Sequence, residues 1–151
     1  MSTFRVDFTT HLNTVVNAYI TANPTIVRRF WRARPGSFAE LPVAFMDSIR
    51  EDTVILDNGT WQRHLSSSIV VVDAYSDNEQ VNARLHIAVD GLRSWLVRMT
   101  YATVGGGILT ISGAIDQDFD LTVQPGPERP AVTYRAAPIT VLGQIQAGRP
   151  S

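Results

Sequence analysis

Arginine and aromatic side chains alternate within residues 25–38, whose sequence is TIVRRFWRARPGSF. Guanidinium groups bind phosphates and carboxylates, and the flat faces of Phe and Trp stack on nucleic-acid bases. The segment therefore fits two kinds of contact, one with nucleic acid and one with acidic groups of another protein. The side chains that could make either contact are Arg28, Arg29, Phe30, Trp31, Arg32 and Arg34.

The three histidines are not spaced as metal ligands. His11, His64 and His86 contain no pair at the i, i+4 separation that places two ligands on one helical turn. His11 and His86 also fall off the apolar stripes of two predicted helices, so we expect both to be exposed to solvent. A small pocket enzyme that uses His64 and acidic side chains is the weakest of the functions that the sequence allows.

The segment IDQDFD spaces three aspartates like the first ligands of a calcium loop. An EF-hand loop beginning at Asp116 needs glycine at its sixth position and glutamate at its twelfth, where this chain has Leu121 and Pro127. We therefore expect an acidic β-turn that includes Asp118 and Asp120. The glycines at 105–107 lack the lysine of a phosphate loop, and there is no cysteine. The sequence predicts no metal, no cofactor and no catalytic residue.

The composition is that of a globular protein with nearly balanced charge. The chain has 151 residues, a net charge of −1 and 44% hydrophobic residues, which predicts a single domain over residues 1–151. The charge balance disfavours a generally basic DNA-binding protein. All 13 cationic residues are arginine, a residue enriched at protein interfaces. No apolar run indicates a signal peptide or reaches the ~18 residues of a membrane span.

Apolar periodicity predicts two helices. Apolar residues at steps of three and four predict the first helix over about residues 3–22. A second stripe of this kind predicts a helix over about residues 78–99, with Asp77 and Gln80 as a capping box at its start.

Extended segments follow each helix, over about residues 42–75 and 108–145, and residues 146–151 are predicted to be a loose tail. The uninterrupted apolar run from Ile69 to Val72 predicts a strand that is covered on both faces. The strands come in runs joined by hairpins instead of alternating with helices. We therefore predict an α+β fold, a mainly antiparallel or mixed β-sheet with two α-helices packed on one face.

The sequence DNGT at 57–60 predicts a tight hairpin. Asn58-Gly59 suits a two-residue type I′ turn, in which both central residues need positive φ. Such a turn would place Val54 opposite Arg63 and Thr53 opposite His64.

The order of these elements and several short motifs resemble the tail terminator, or tail completion, proteins of long-tailed bacteriophages. The likeness covers about residues 8–98, and the closing strands match in layout only. His86 stands where the family often has an acidic residue, whereas Asp90 keeps the second acidic position. The motifs are RARPGSF (32–38), LPVAFMD (41–47), LDNGTWQR (56–63), SIVVVDAYSDNEQ (68–80) and ARLHIAVDGLRSWL (83–96).

This resemblance implies a structural protein of the virion with no enzymatic activity. Tail terminators form a hexameric ring that caps the tail tube, stops its polymerisation and provides the surface for joining the head. The implied partners are other copies of the chain, the tail tube protein and the neck proteins, in a virion assembled in the host cytoplasm. DNA would pass through the ring without being read. The alternatives are another neck protein, such as a head-closure subunit, or a small nucleic-acid-binding module.

With this resemblance, the arginine-rich segment is better interpreted as a contact with another protein than with nucleic acid. As an extended arm over 27–34, it would direct Arg28, Phe30, Arg32 and Arg34 to one side and Arg29, Trp31 and Ala33 to the other. Such a mixed surface fits an edge strand that docks on a neighbouring subunit's carboxylates. The predicted subunit or tube interface comprises Arg28, Arg29, Trp31, Arg32, Arg34, Trp61 and Arg63.

Overall fold

The computed structural model describes residues 4–55, 61–76, 78–98, 103–104, 107–115 and 118–147, which form two helices and one eight-stranded sheet. The α+β class is confirmed, and the sheet is mixed. In chain order the elements are α1 (Phe4–Ala22), β1 (Phe30–Trp31), β2 (Val43–Met46), β3 (Arg50–Ile55), β4 (Trp61–Ala74), α2 (Glu79–Arg98), β5 (Thr103–Val104), β6 (Gly107–Ile115), β7 (Phe119–Val123) and β8 (Val132–Ala147).

Two long antiparallel strands, β4 and β8, form the centre of the sheet and pair along all of β4. Each of them carries two shorter strands in tandem on its outer side. Strands β3 and β2 pair with successive halves of β4, and β6 and β7 pair with successive halves of β8. Strand β1 continues the sheet beyond β2 and pairs with it in parallel, and β5 pairs with β6. The sheet therefore has two halves that share the same central strands.

Both helices pack on one face of the sheet, as predicted. Their apolar stripes meet the sheet in a core that contains Phe8, Leu12, Leu85 and Leu92, each at most 1% exposed. From the sheet, alternate residues of β4 and β8 enter the same core, because side chains of a strand alternate between its faces. These are Leu65, Ile69, Val71, Ala137, Ile139 and Val141.

A second core covers the opposite face of the half that contains β2 and β7. It includes Val70 and Val72 from β4, together with Phe38 from the segment between β1 and β2. Because Ile69 and Val71 face the helices while Val70 and Val72 face this second core, the run has no polar alternation. The prediction that this strand is covered on both faces is confirmed.

Three local predictions need correction. The β3–β4 register pairs Val54 with Gln62 and Thr53 with Arg63, one residue away from the predicted register, because five residues separate the last pair, Ile55 and Trp61. Residues 56–60, including Asn58-Gly59, lie outside the described residues, as does Asp77. Helix α2 is capped by Asn78, whose Oδ1 accepts a hydrogen bond from Gln80 N at 2.8 Å. Strand β8 continues to Ala147, so the predicted tail begins two residues too early.

Candidate interaction surface

The arginine-rich segment begins as an outer strand of the sheet. Arg28 N donates to Pro42 O at 2.8 Å, and Ala44 N donates to Arg29 O at 2.9 Å, so the segment pairs in parallel with β2. The predicted edge position is confirmed. The predicted arm over 27–34 is too long, since only Phe30 and Trp31 are strand residues.

Both aromatic residues of this segment pack within the subunit. Phe30 is 7% exposed and belongs to the core beneath the helices. Trp31 packs against the second core, with its ring centroid 6.0 Å from that of Phe38. The Arg29 guanidinium carbon lies 4.8 Å from the centre of the Trp31 ring, a cation–π contact. The two rings therefore stabilise the subunit and do not form a free stacking surface for bases.

The next two arginines, Arg32 and Arg34, line an open cleft of about 480 Å³ between α1, the segment after β1 and the loop after β2. Arg34 Nη2 donates to the backbone carbonyl of Thr122 at 3.3 Å. This hydrogen bond links the segment to β7, which lies across β4 and β8 from β2. Arg5 and Thr9, one helical turn apart on α1, line the same cleft. Its remaining lining residues are Ala33, Met46, Asp47, Ser48 and Ile49.

An ion-pair chain connects Arg63 on β4 to this cleft. Arg63 Nε donates to Glu51 Oε1 at 2.6 Å, and Arg5 Nη2 lies 3.7 Å from the second oxygen of the same carboxylate. Glu51 and Arg63 are each about one-quarter exposed, whereas Arg5 is half exposed. The partly buried Glu51 carboxylate thus pairs with two guanidinium groups. Arg63 makes its ion pair within the subunit.

The predicted interface residues are only partly brought together. Arg32 and Arg34 share the cleft, and Arg63 reaches it through Glu51 and Arg5. Arg28 and Arg29 are exposed along the β1 edge, and Trp31 packs below Arg29. The backbone of Trp61 pairs with Ile55 and Ala147, and its place in an interface stays a prediction.

Arg5, Thr9 and Ser48 are cleft residues that the sequence did not single out. The i, i+4 spacing of Arg5 and Thr9 places them on one side of α1, which was a usable signal. The apposition of α1 with the loop after β2 had no local signal, because these segments are about forty residues apart in the chain.

The histidines follow the predictions in part. His86 is exposed as predicted, and its Nε2 lies 2.6 Å from Asp118 Oδ2. The prediction for His11, a residue of α1, is wrong, because its side chain is half-buried. This burial lowers the pKa of the His11 imidazole. His64 contacts Gln62 Oε1 at 2.8 Å and borders a depression of about 130 Å³. In the part of the chain that the structure describes, that depression is lined by His64, Leu65, Leu142, Gly143 and Gln144, without a carboxylate.

Two further features concern ligands and membranes. Within the described residues, no three His, Asp or Glu side chains are grouped so that they could hold a metal ion. Asp120, from the segment with alternating aspartates, accepts a hydrogen bond from Arg135 Nη1 at 2.9 Å. Neither described helix is long and apolar enough to cross a membrane.

Comparison with known proteins gives a likeness of fold. No family model matches the sequence, and no curated protein matches it. Among the solved structures with a similar fold is a chain from the virion of a native gene transfer agent particle. The two chains are 13% identical and superpose with a TM-score of 0.54, over 90% of this chain and 95% of that chain. At this identity, the likeness concerns the fold.

Proposed function

We propose that the chain is a structural protein of a phage-type virion, and specifically a tail terminator that forms a closed ring on the end of a tail tube. The observation that carries the proposal is the shared fold with a chain of a virion particle, along nearly the full length of both chains. The motif order over residues 8–98, which resembles that of tail terminators, supports the finer role. This role needs surfaces for protein contacts and no catalytic residue.

A closed ring requires each subunit to present two different faces that bind one another. The outer face of α1 suits one of them, since the chain carries no Asp, Glu, Arg or Lys between Asp7 and Arg28. The hydroxyls of Thr14 and Thr21 already donate to the carbonyls of Thr10 and Asn17, at 3.0 and 2.9 Å. Burial of these side chains would therefore leave few polar groups without partners, which lowers the cost of removing water.

The opposite side of the subunit offers a second face, on which small polar and apolar side chains lie together. In the half of the sheet away from the second core, Ser66, Ser68, Thr140 and Leu142 are half-buried or exposed. Ser66 pairs with Leu142 and Ser68 with Thr140, so the four side chains share the face that points away from the helices. Arg50 pairs with Ser66 and lies on the same face, where its Nε is 3.4 Å from Asp52 Oδ2. An uncharged helix face and a sheet face whose charges are paired with each other, on opposite sides of the subunit, fit a head-to-tail contact between copies.

The decisive test of the proposed function combines a mass measurement with negative-stain imaging of the purified protein. We expect closed rings in equilibrium with smaller species, binding of the rings to isolated tail tube ends, and tubes of uncontrolled length when the protein is left out of assembly. Monomers at every concentration, together with unchanged tube length, would contradict the proposal. Rings that bind a portal-side neck protein instead of tube ends would indicate a head-closure protein.

Replacing Arg32 and Arg34 together with alanine should weaken ring assembly while leaving the subunit folded. Both side chains are exposed, so their removal should not unfold the subunit. In the predicted interface they pair with carboxylates of a neighbouring subunit, and exposed ion pairs contribute about 0.2–1 kcal/mol each. We therefore expect the concentration at which rings dissociate to rise by about tenfold, measured by mass photometry across a dilution series. Arg98→Ala/Arg129→Ala removes the same charge from two other exposed positions and should not change this concentration. Equal ring stability in the Arg32/Arg34 variant would exclude this segment from the interface.

A further inference from the structure

The cleft beside α1 has the chemistry of an anion site. Its lining residues include three arginines, Arg5, Arg32 and Arg34, and one acidic residue, Asp47. Thr9 and Ser48 are also lining residues, and Ala33 and Ile49 supply the accessible apolar part, since Met46 is only 2% exposed. A cleft with an excess of positive charge and an apolar lining fits a ligand that combines negative charge with hydrocarbon.

Two of the three arginines are held in place by contacts within the subunit. Arg34 donates one hydrogen bond to Thr122 O, and Arg5 lies beside Glu51. Since Arg carries five N–H donors, each guanidinium retains donors for a ligand after these contacts. Side chains that are already positioned lose less conformational entropy when a ligand binds, so they bind an anion more tightly than free surface arginines do.

The ligand chemistry that this cleft favours is a carboxylate of a protein. The structure itself shows this pairing, because Arg5 and Arg63 share the Glu51 carboxylate at the border of the cleft. A nucleic acid would need stacking surfaces for its bases, whereas Phe30 and Trp31 are packed into the two cores.

We propose that the cleft binds an acidic segment of another protein chain, in which an Asp or Glu carboxylate engages Arg32 and Arg34 and a neighbouring apolar side chain contacts Ala33 and Ile49. The guanidinium groups bind the carboxylate through charge-assisted hydrogen bonds, which are stronger than neutral ones. This inference depends on the residues of the cleft and not on the proposed ring. The cleft would bind such a segment whether the subunit forms rings or stays monomeric.

The test uses a fluorescein-labelled peptide, Gly-Leu-Glu-Asp-Leu-Glu-Gly, titrated with the full-length protein at low and at moderate salt. We expect saturable binding that weakens with salt, because salt screens the ion pairs. Arg32→Ala/Arg34→Ala should lower the affinity at least tenfold, which corresponds to about 1.4 kcal/mol. The matched control Arg98→Ala/Arg129→Ala should bind as the unchanged protein does. A second control peptide has Gln and Asn in place of Glu and Asp, and should not bind.

Three results would overturn the proposal: no binding of the acidic peptide, equal binding of the neutral peptide, or equal losses in the two arginine double variants. An oligothymidine that displaces the peptide and binds more tightly would show instead that the cleft is a nucleic-acid site. Circular dichroism of each variant separates loss of binding from loss of folding. Peptide binding by a protein that never forms rings would leave the cleft assigned and refute the ring alone.

Discussion

Replacing Arg84 with alanine is expected to lower the free energy of unfolding by about 3 kcal/mol, since a buried charge would then lose its counter-ion. Asp73, at the end of β4, is 0% exposed. Arg84 on α2 donates to both of its carboxylate oxygens, with Nε 2.7 Å from Oδ2 and Nη2 bonded to Oδ1. The same carboxylate accepts a hydrogen bond from Ala74 N at 2.8 Å.

The direction of this prediction follows from the unequal exposure of the two partners. Arg84 is half exposed, and its pKa is raised chiefly by the hydrogen bond to Asp73. Alanine at this position removes the guanidinium but leaves the Asp73 carboxylate buried, with the hydrogen bond from Ala74 N, and an uncompensated buried charge is costly. Water can approach from the side that Arg84 now covers, so we expect the low end of the range measured for broken buried pairs, which is about 3–5 kcal/mol.

Chemical denaturation with urea measures this loss, and the slope of unfolding should stay unchanged. Arg98→Ala, at an exposed position on the same helix, is the control and should change stability by less than about 0.5 kcal/mol. Adding Asp73→Asn to Arg84→Ala should recover part of the loss, because the buried group no longer carries a charge. A loss below about 1 kcal/mol for Arg84→Ala would show that Asp73 does not depend on this ion pair.

The sequence predicted the elements of the fold well where one face of an element is buried along its length. The stripe that includes Phe8 and Leu12 defined α1 to within one residue, and Leu85 and Leu92 did the same for α2. The doubly covered run Ile69–Val72 was also predicted, because burial on both faces removes the polar alternation. Burial of this kind leaves a periodic signal in the chain itself.

Features that depend on contacts between distant segments could not be predicted in this way. The β3–β4 register was predicted from a two-residue turn, whereas the ladder ends at Ile55 and Trp61, with five residues between them. The predicted interface included Arg63, which instead pairs with Glu51 within the subunit. Arg5 was missed because its apposition with Arg32 and Arg34 arises only when α1 packs beside the sheet.

Another long-range contact, between the two helices, predicts a large effect for a small substitution. Gly91 lies inside α2, where glycine costs about 1 kcal/mol relative to alanine in an isolated helix. Propensity alone would therefore make Gly91→Ala stabilising. However, a Cβ atom at this position would overlap the hydroxyl oxygen of Tyr19 on α1 and lie 3.3 Å from its ring carbon Cζ. We expect the substitution to lower the free energy of unfolding by about 1–3 kcal/mol, as overpacking of a core does.

The Tyr19 ring has little room to relieve this overlap. It is 5% exposed, and its centroid lies 5.8 Å from that of Trp95, whose indole Nε1 donates to Val15 O on α1 at 3.0 Å. Displacing Tyr19 would therefore also disturb the hydrogen bond that links the helices. The glycine is required for the close approach of α1 and α2, and its contact with Tyr19 explains why a helix interior retains it.

A double-mutant cycle separates this steric effect from any change in helix propensity. Tyr19→Phe removes the overlapping oxygen, so Gly91→Ala should cost less in the Tyr19→Phe background than in the unchanged protein. Ser94→Ala, at an exposed position of the same helix, reports propensity alone and should be neutral or slightly stabilising. Urea denaturation of the four proteins of the cycle gives the coupling energy. If Gly91→Ala is stabilising in both backgrounds, the helices can separate without cost and the close contact is not needed for stability.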